Sequence, residues 1–192
     1  MTYISQLSRL NIAGLIGQTL TDHGIDAVLT GGSCLAIHSS ERWVSQDLDL
    51  IDISFSDKSK IVKALSTIGF LNKGPGHRYY EHPECKFPIE FPTGPLAIGE
   101  EAPISSEGIT EITTPHGTFK ILSTTNCVKD RLINYLLYND MQCLDQARYV
   151  AQNKPVDMNN ITNWLRNEGS DLDPRELLLE TKLTSFPPSL DR

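Results

Sequence analysis

Ala27-Val28-Leu29-Thr30-Gly31-Gly32-Ser33, followed after a polar spacer by Asp47-Leu48-Asp49-Leu50-Ile51, decides how this chain folds. The apolar run over 26–30 reads as a buried strand that ends at paired glycines. Ser33 then opens a short helix over 33–39, and residues 47–53 read as a second strand. Side chains alternate along a strand, so Asp47 and Asp49 share one face, with α-carbons about 7 Å apart. Leu48 and Leu50 take the other face, toward the core.

Working outward, residues 4–22 carry Ile4, Leu7, Leu10, Ile12, Leu15, Ile16 and Leu20 at helical spacing, with Gly24 as the stop. Asp57 caps a helix over 58–69 that turns Ile61, Ala64, Leu65 and Ile68 inward and ends at Gly69. The pattern then becomes β. Arg78-Tyr79-Tyr80 and residues 86–91 are short strands, and Pro88 places the second at an edge or bulge. Residues 92–108, rich in Pro, Gly and Glu, read as a loop. Residues 111–114 and 118–122 flank Pro115-His116-Gly117 as a hairpin.

From about Ser123 the pattern is helical. The first helix is capped by Thr124 or Thr125 and carries Val128, Leu132, Tyr135 and Leu136. The second carries Cys143, Leu144, Ala147 and Val150 and is broken by Pro155. A third spans 157–167 up to Gly169, and Asp173-Pro174 opens a last one. The tail after Phe186 reads as frayed. This pattern predicts an α/β (α+β) protein with a mixed β-sheet core over 1–122 and a helical C-terminal segment over 123–192 packed on it.

The chain has 192 residues, 39% hydrophobic, with a formal net charge of −7. That length buries a core without staples. No run approaches the ~18 apolar residues of a membrane span, and the N-terminus lacks a secretory pattern, so a soluble cytoplasmic protein is expected, with no membrane partner. Cys34, Cys85, Cys127 and Cys143 form no C-x-x-C pair, which favours buried thiols over zinc or redox motifs. No basic run is present, so duplex DNA is not an expected partner. A polyphosphate ligand would need a cation to offset the acidic residues.

Phe87, Ile89 and Phe91 line one strand face, which turns Glu90 to the other. If that strand lies beside 47–53, Glu90 joins Asp47 and Asp49 as a third carboxylate. Three acids on adjacent strands suit two-metal phosphoryl transfer, for which Mg²⁺ with its preference for oxygen ligands is the expected cofactor. Gly31, Gly32 and Ser33, at a helix start, would offer amides and a hydroxyl to β- and γ-phosphates.

This arrangement resembles the nucleotidyltransferase superfamily that includes DNA polymerase beta and the minimal nucleotidyltransferases. The matching residues are Gly32-Ser33 with Gly31 before them, Asp47/Asp49, and Glu90 as the third acid, over about residues 25–92. The third acid is Glu where the family pattern also uses Asp, and the Ser33–Asp47 spacer is longer than in the shortest family versions. Lys129-Asp130-Arg131 and Asp140 look like the basic-residue helix that follows the core in abortive-infection type toxin nucleotidyltransferases.

The resemblance implies transfer of a nucleoside monophosphate from an NTP to an acceptor: an RNA end, a protein or a small molecule. Asp47 and Asp49 would bind metal, and Glu90 would complete the site and help activate the acceptor hydroxyl. Gly31, Gly32 and Ser33 would hold phosphate. Lys129 is the leading cation for it, with Arg131 competing and Arg42 a further candidate; Lys129 and Arg131 stand two apart on a helix and cannot both face one ligand. An antitoxin is a possible partner of such a chain. The alternative is a non-catalytic nucleotide-binding or regulatory module with the same fold.

Overall fold

The computed structural model describes residues 4–74, 77–101 and 103–178. A seven-stranded mixed sheet runs through it. The central pair is β1 (Ala27–Thr30) and β2 (Leu48–Asp52), antiparallel and in register from Ala27 opposite Asp52 to Thr30 opposite Asp49. On one side β1 pairs in parallel with β7 (Gly117–Leu122), which forms a hairpin with β6 (Ile109–Thr114). On the other, β2 pairs in parallel with β5 (Ile89–Glu90), which continues antiparallel to β4 (Tyr79–Glu81) and β3 (Leu71–Asn72).

The helices are α1 (Arg9–Asp22), α2 (Gly31–His38), α3 (Lys58–Ser66), α4 (Thr124–Tyr138), α5 (Met141–Asn153) and α6 (Met158–Asn167). The mixed sheet with flanking helices is the α/β architecture expected from the sequence. One hydrophobic cluster extends from Ile12 on α1 to Leu177 in a closing 3-10 turn, Pro174–Leu178. Among the described residues, no helix is long and apolar enough to cross a membrane.

Several boundaries shift for identifiable reasons. Ser8 caps α1 by accepting from the Asn11 N–H, so the helix starts at Arg9, with a separate 3-10 turn at Ile4–Gln6 ahead of it. Ile12, Ala13, Ile16 and Leu20 form its inner stripe, whereas Leu10 is 38% exposed. α2 begins at Gly31, not Ser33: the glycines are its first turn, after an extended Thr30. Pro88 has no N–H for a ladder and the strand expected over 86–91 contracts to Ile89–Glu90, although the Pro88 carbonyl still accepts from Leu48 N at 2.9 Å. The β3 strand has too little pattern at two residues to be read from sequence. Asn139 ends α4 in the left-handed conformation, φ +53, and Asp140 caps α5 through the Gln142 and Cys143 amides. The tail expected to fray after Phe186 lies outside the described residues.

α1 lies directly on β7. A Cβ built at Gly17 would stand 2.3 Å from Phe119 Cβ and 2.7 Å from its Cα. Neither can move without shifting the strand. Gly17→Val is therefore expected to destabilise the fold by about 3 kcal/mol, the upper range for overpacking. Urea unfolding checks this: the midpoint should fall with an unchanged slope.

Candidate active site

The register of three strands builds the site. Thr30 at the end of β1 stands opposite Asp49 on β2, and Asp49 stands opposite Glu90 on β5. Asp49 and Glu90 therefore project from the same face of the sheet. Asp47 sits just ahead of β2, one alternation before Asp49. Carboxylate oxygens of Asp47, Asp49 and Glu90 lie within 4.8 Å of one another, the one such grouping of metal-ligating side chains among the described residues. Glu90 thus faces the other two acids, as its place in the Phe87–Phe91 alternation predicts.

The donor set is three hard oxygens. Opposite ligands of an octahedral Mg²⁺ are about 4.2 Å apart, so the separations here suit a small divalent cation with little rearrangement. Burial pushes the Asp49 carboxyl up to about 6, with Asp47, Glu90 and Asp130 adding like-charge repulsion and Arg131 opposing them. Arg78 pairs with Glu90 from the solvent side, Nε to Oε1 at 3.3 Å.

Gly31 is required twice over. Its φ is +62, and an added Cβ would meet Asp49 Oδ2 at 2.5 Å. Gly32 presses on the spacer, where a Cβ would meet Ser45 Oγ at 2.7 Å. Ser33 departs from expectation. Its side chain is fully buried; the hydroxyl accepts from Arg9 Nη1 at 2.8 Å and donates to the Asp47 carbonyl. The hydroxyl is thereby used inside the protein, and what the turn offers a phosphate is the backbone N–H groups of α2.

The cations separate as helix phase requires. Lys129 is 1% exposed; its Nζ donates to Glu101 Oε2 at 2.7 Å and lies 5.9 Å from the Trp164 ring centre. It is held by the 92–104 segment and α6. Arg131 is the cation whose charge reaches Asp49, and its guanidinium also binds Asp130. Arg42 is taken up by the rings of Trp43 and Tyr149, at 5.4 and 4.8 Å. A cavity of about 360 Å³ opens beside Asp49, lined also by Thr30, Gly31, Leu96, Ile98 and Asp130. That volume lies within the range of small-molecule sites.

With this geometry in view, the chain can be set against solved structures. A nucleotidyltransferase-like antigenic protein from Paracoccidioides brasiliensis superimposes with a TM-score of 0.56 at 13% identity, covering 84% of this chain and 88% of that one. The chain has a nucleotidyltransferase-like fold. Two structures of the antibiotic-resistance factor ANT(2'')-Ia, one in complex with adenylyl-2''-tobramycin, give TM-scores of 0.48 at 10% identity. They cover 70% and 80% of this chain and 78% and 91% of theirs. No protein-family model matches the chain, and no curated protein matches it by sequence.

Asp130, Ser45 and Arg9 were not assigned to the site from sequence. Arg9 had a signal: it falls on the stripe of Ile12, Ala13 and Ile16, where a charge is out of place.

The raised Asp49 pKa has a consequence for stability. The folded protein holds its proton at a pH where the unfolded chain, with an ordinary carboxyl near 4, has released it. Folding stability therefore falls as pH rises from about 4 through about 6. Asp49→Asn is expected to raise the melting temperature of the metal-free protein at pH 7.5, by about 1 kcal/mol in stability after solvent screening. The gain should vanish by pH 4. Scanning calorimetry across that range checks the sign.

Proposed function

We propose that this chain transfers a nucleoside monophosphate from an NTP to an acceptor hydroxyl, with Mg²⁺ held by Asp47, Asp49 and Glu90. The observation that supports this reading is the convergence of the three carboxylates beside the first turn of α2, in a nucleotidyltransferase-like fold. A bound Mg²⁺ pair would supply charge neutralisation on the triphosphate and a lower pKa for the attacking hydroxyl.

The remaining work falls to the chain's own residues. Gly31, at the start of α2, lines the cavity beside Asp49, and the N–H groups of a helix start suit phosphate oxygens. Arg131 adds the side-chain positive charge. The acceptor oxygen forms a bond to the α-phosphorus as the bond from that phosphorus to the bridging oxygen breaks, and pyrophosphate departs. The acceptor proton passes to a carboxylate, the role taken by Glu90, which Arg78 meets from the solvent side. The acceptor is an RNA end, a protein or a small molecule; an antitoxin partner rests on the resemblance of Lys129, Asp130 and Arg131 on α4, with Asp140 at the α5 cap, to toxin nucleotidyltransferases.

The test is NTP-dependent labelling of candidate acceptors with Mg²⁺. Asp47→Ala is expected to lower transfer at least about 100-fold, beyond what loss of a supporting residue costs. Unchanged labelling in that variant would overturn the metal assignment. NTP binding by calorimetry that is indifferent to Mg²⁺, without any transfer, would favour the non-catalytic binding module instead.

A further inference from the structure

We propose that Arg9 is a positioning residue for the carboxylate site, fixing where Asp47 and Glu90 stand and so setting the affinity for the divalent cation. The proposal rests on the metal-site reading above. It concerns a side chain that touches none of the three carboxylates.

Arg9 is an unusual residue for its place. It is the first residue of α1, where the helix dipole disfavours a cation. It is only 2% exposed, and a buried guanidinium is costly unless its N–H groups are matched. Its one charged partner, Glu41, has a side chain half exposed to water, at 3.2 Å from Nε. That carboxylate meets Nε alone and leaves both Nη groups to be matched elsewhere.

The other partners explain the burial. Nη1 donates to Ser33 Oγ at 2.8 Å, in the first turn of α2. Nη2 donates to the Ser45 carbonyl at 2.8 Å, in the spacer that leads to Asp47. The flat face of the guanidinium lies 4.3 Å from the centre of the Phe87 ring, on the approach to β5. One planar group thus ties together the three segments that meet at the site.

Two short relays continue from it. Ser33 Oγ, which accepts from Arg9, donates to the Asp47 carbonyl. Ser45, whose carbonyl accepts from Arg9, places its own hydroxyl 3.1 Å from Asp47 Oδ1. Asp47 is therefore held at both its backbone and its carboxylate. On the other side, Phe87 precedes Pro88, whose carbonyl accepts from Leu48 N, between Asp47 and Asp49. Glu90 follows two residues later. Supporting bonds of this kind orient metal ligands, and their loss weakens metal binding.

Lysine separates positioning from mere charge. It keeps the positive charge but is a point donor without the planar fork. Arg9→Lys is expected to remain folded by circular dichroism and to bind Mn²⁺, read directly by electron paramagnetic resonance, about 10-fold more weakly than the wild type. Glu41→Gln, which removes only the exposed charge partner, should bind Mn²⁺ as the wild type does. Ser45→Ala cuts one relay while leaving the buried charge in place, and should weaken Mn²⁺ binding in the same direction. A folded Arg9→Lys with wild-type Mn²⁺ affinity would overturn the proposal. If Arg9→Lys does not fold, wild-type affinity in Ser45→Ala overturns it equally. Failure of the wild type to bind Mn²⁺, or binding undiminished by Asp49→Asn, overturns the metal-site reading itself and the proposal with it.

Discussion

Three carboxylates held within 4.8 Å of one another are the constraint around which the rest of this structure is arranged. Two ionised groups at that distance repel by about 3 kcal/mol at an effective dielectric of about 20, before mobile ions screen them. The strand register gives Asp49 and Glu90 no freedom to separate, because they occupy opposed positions on paired strands. Burial first, and this repulsion second, push the Asp49 carboxyl up to about 6. On the proposed reading, a divalent cation would relieve every one of these repulsive pairs at once, which a single proton does not. The arrangement that weakens the empty fold is thus the one that would make the site selective for a compact positive charge.

The paired glycines serve this constraint in two different ways. Gly31 turns the chain through a positive φ directly against Asp49, where any side chain would displace the carboxylate. Gly32 lets the spacer close on α2, bringing Ser45 within reach of Asp47. The turn therefore does more than bring amides to a ligand. It sets the distance between the helix start and the acid pair, and the spacer can be long because its far end is pinned at Ser45 by Arg9.

How much of this could be read beforehand depends on the range of each interaction. Asp47 and Asp49 sharing a face follows from strand alternation within three residues. The orientation of Glu90 was legible through Phe87, Ile89 and Phe91, even though only two residues there form ladder bonds. The helix order was legible because apolar residues recur at helical spacing, although Leu10, part of that pattern in α1, is exposed. What escaped was set by partners distant in sequence. The Ser33 hydroxyl looks free for a ligand until Arg9, 24 residues earlier, is folded against it. Lys129 looks available until Glu101, from a segment that reads only as loop, meets it 28 residues away. Side-chain aim at a helix surface is fixed by what packs there, and periodicity carries no record of that.

The same partners decide where positive charge is left in the cleft. Lys129 is matched by Glu101, and Arg42 is stacked between two rings, so neither presents a bare cation to the cavity. Arg131 reaches Asp49 but shares its charge with Asp130, which itself lines the cavity. Two acids, Asp49 and Asp130, therefore line this space, with the charges of Asp47, Glu90 and one partly neutralised guanidinium acting on Asp49, in a chain of net charge −7. A triphosphate entering it would be repelled by the side chains alone. On the proposed reading, metal ions arriving with the nucleotide would reverse that balance, and cation and nucleotide affinity would be coupled by electrostatics. The acidic character that argues against duplex nucleic acid is the same property that would make a cation indispensable to a nucleotide in such a site.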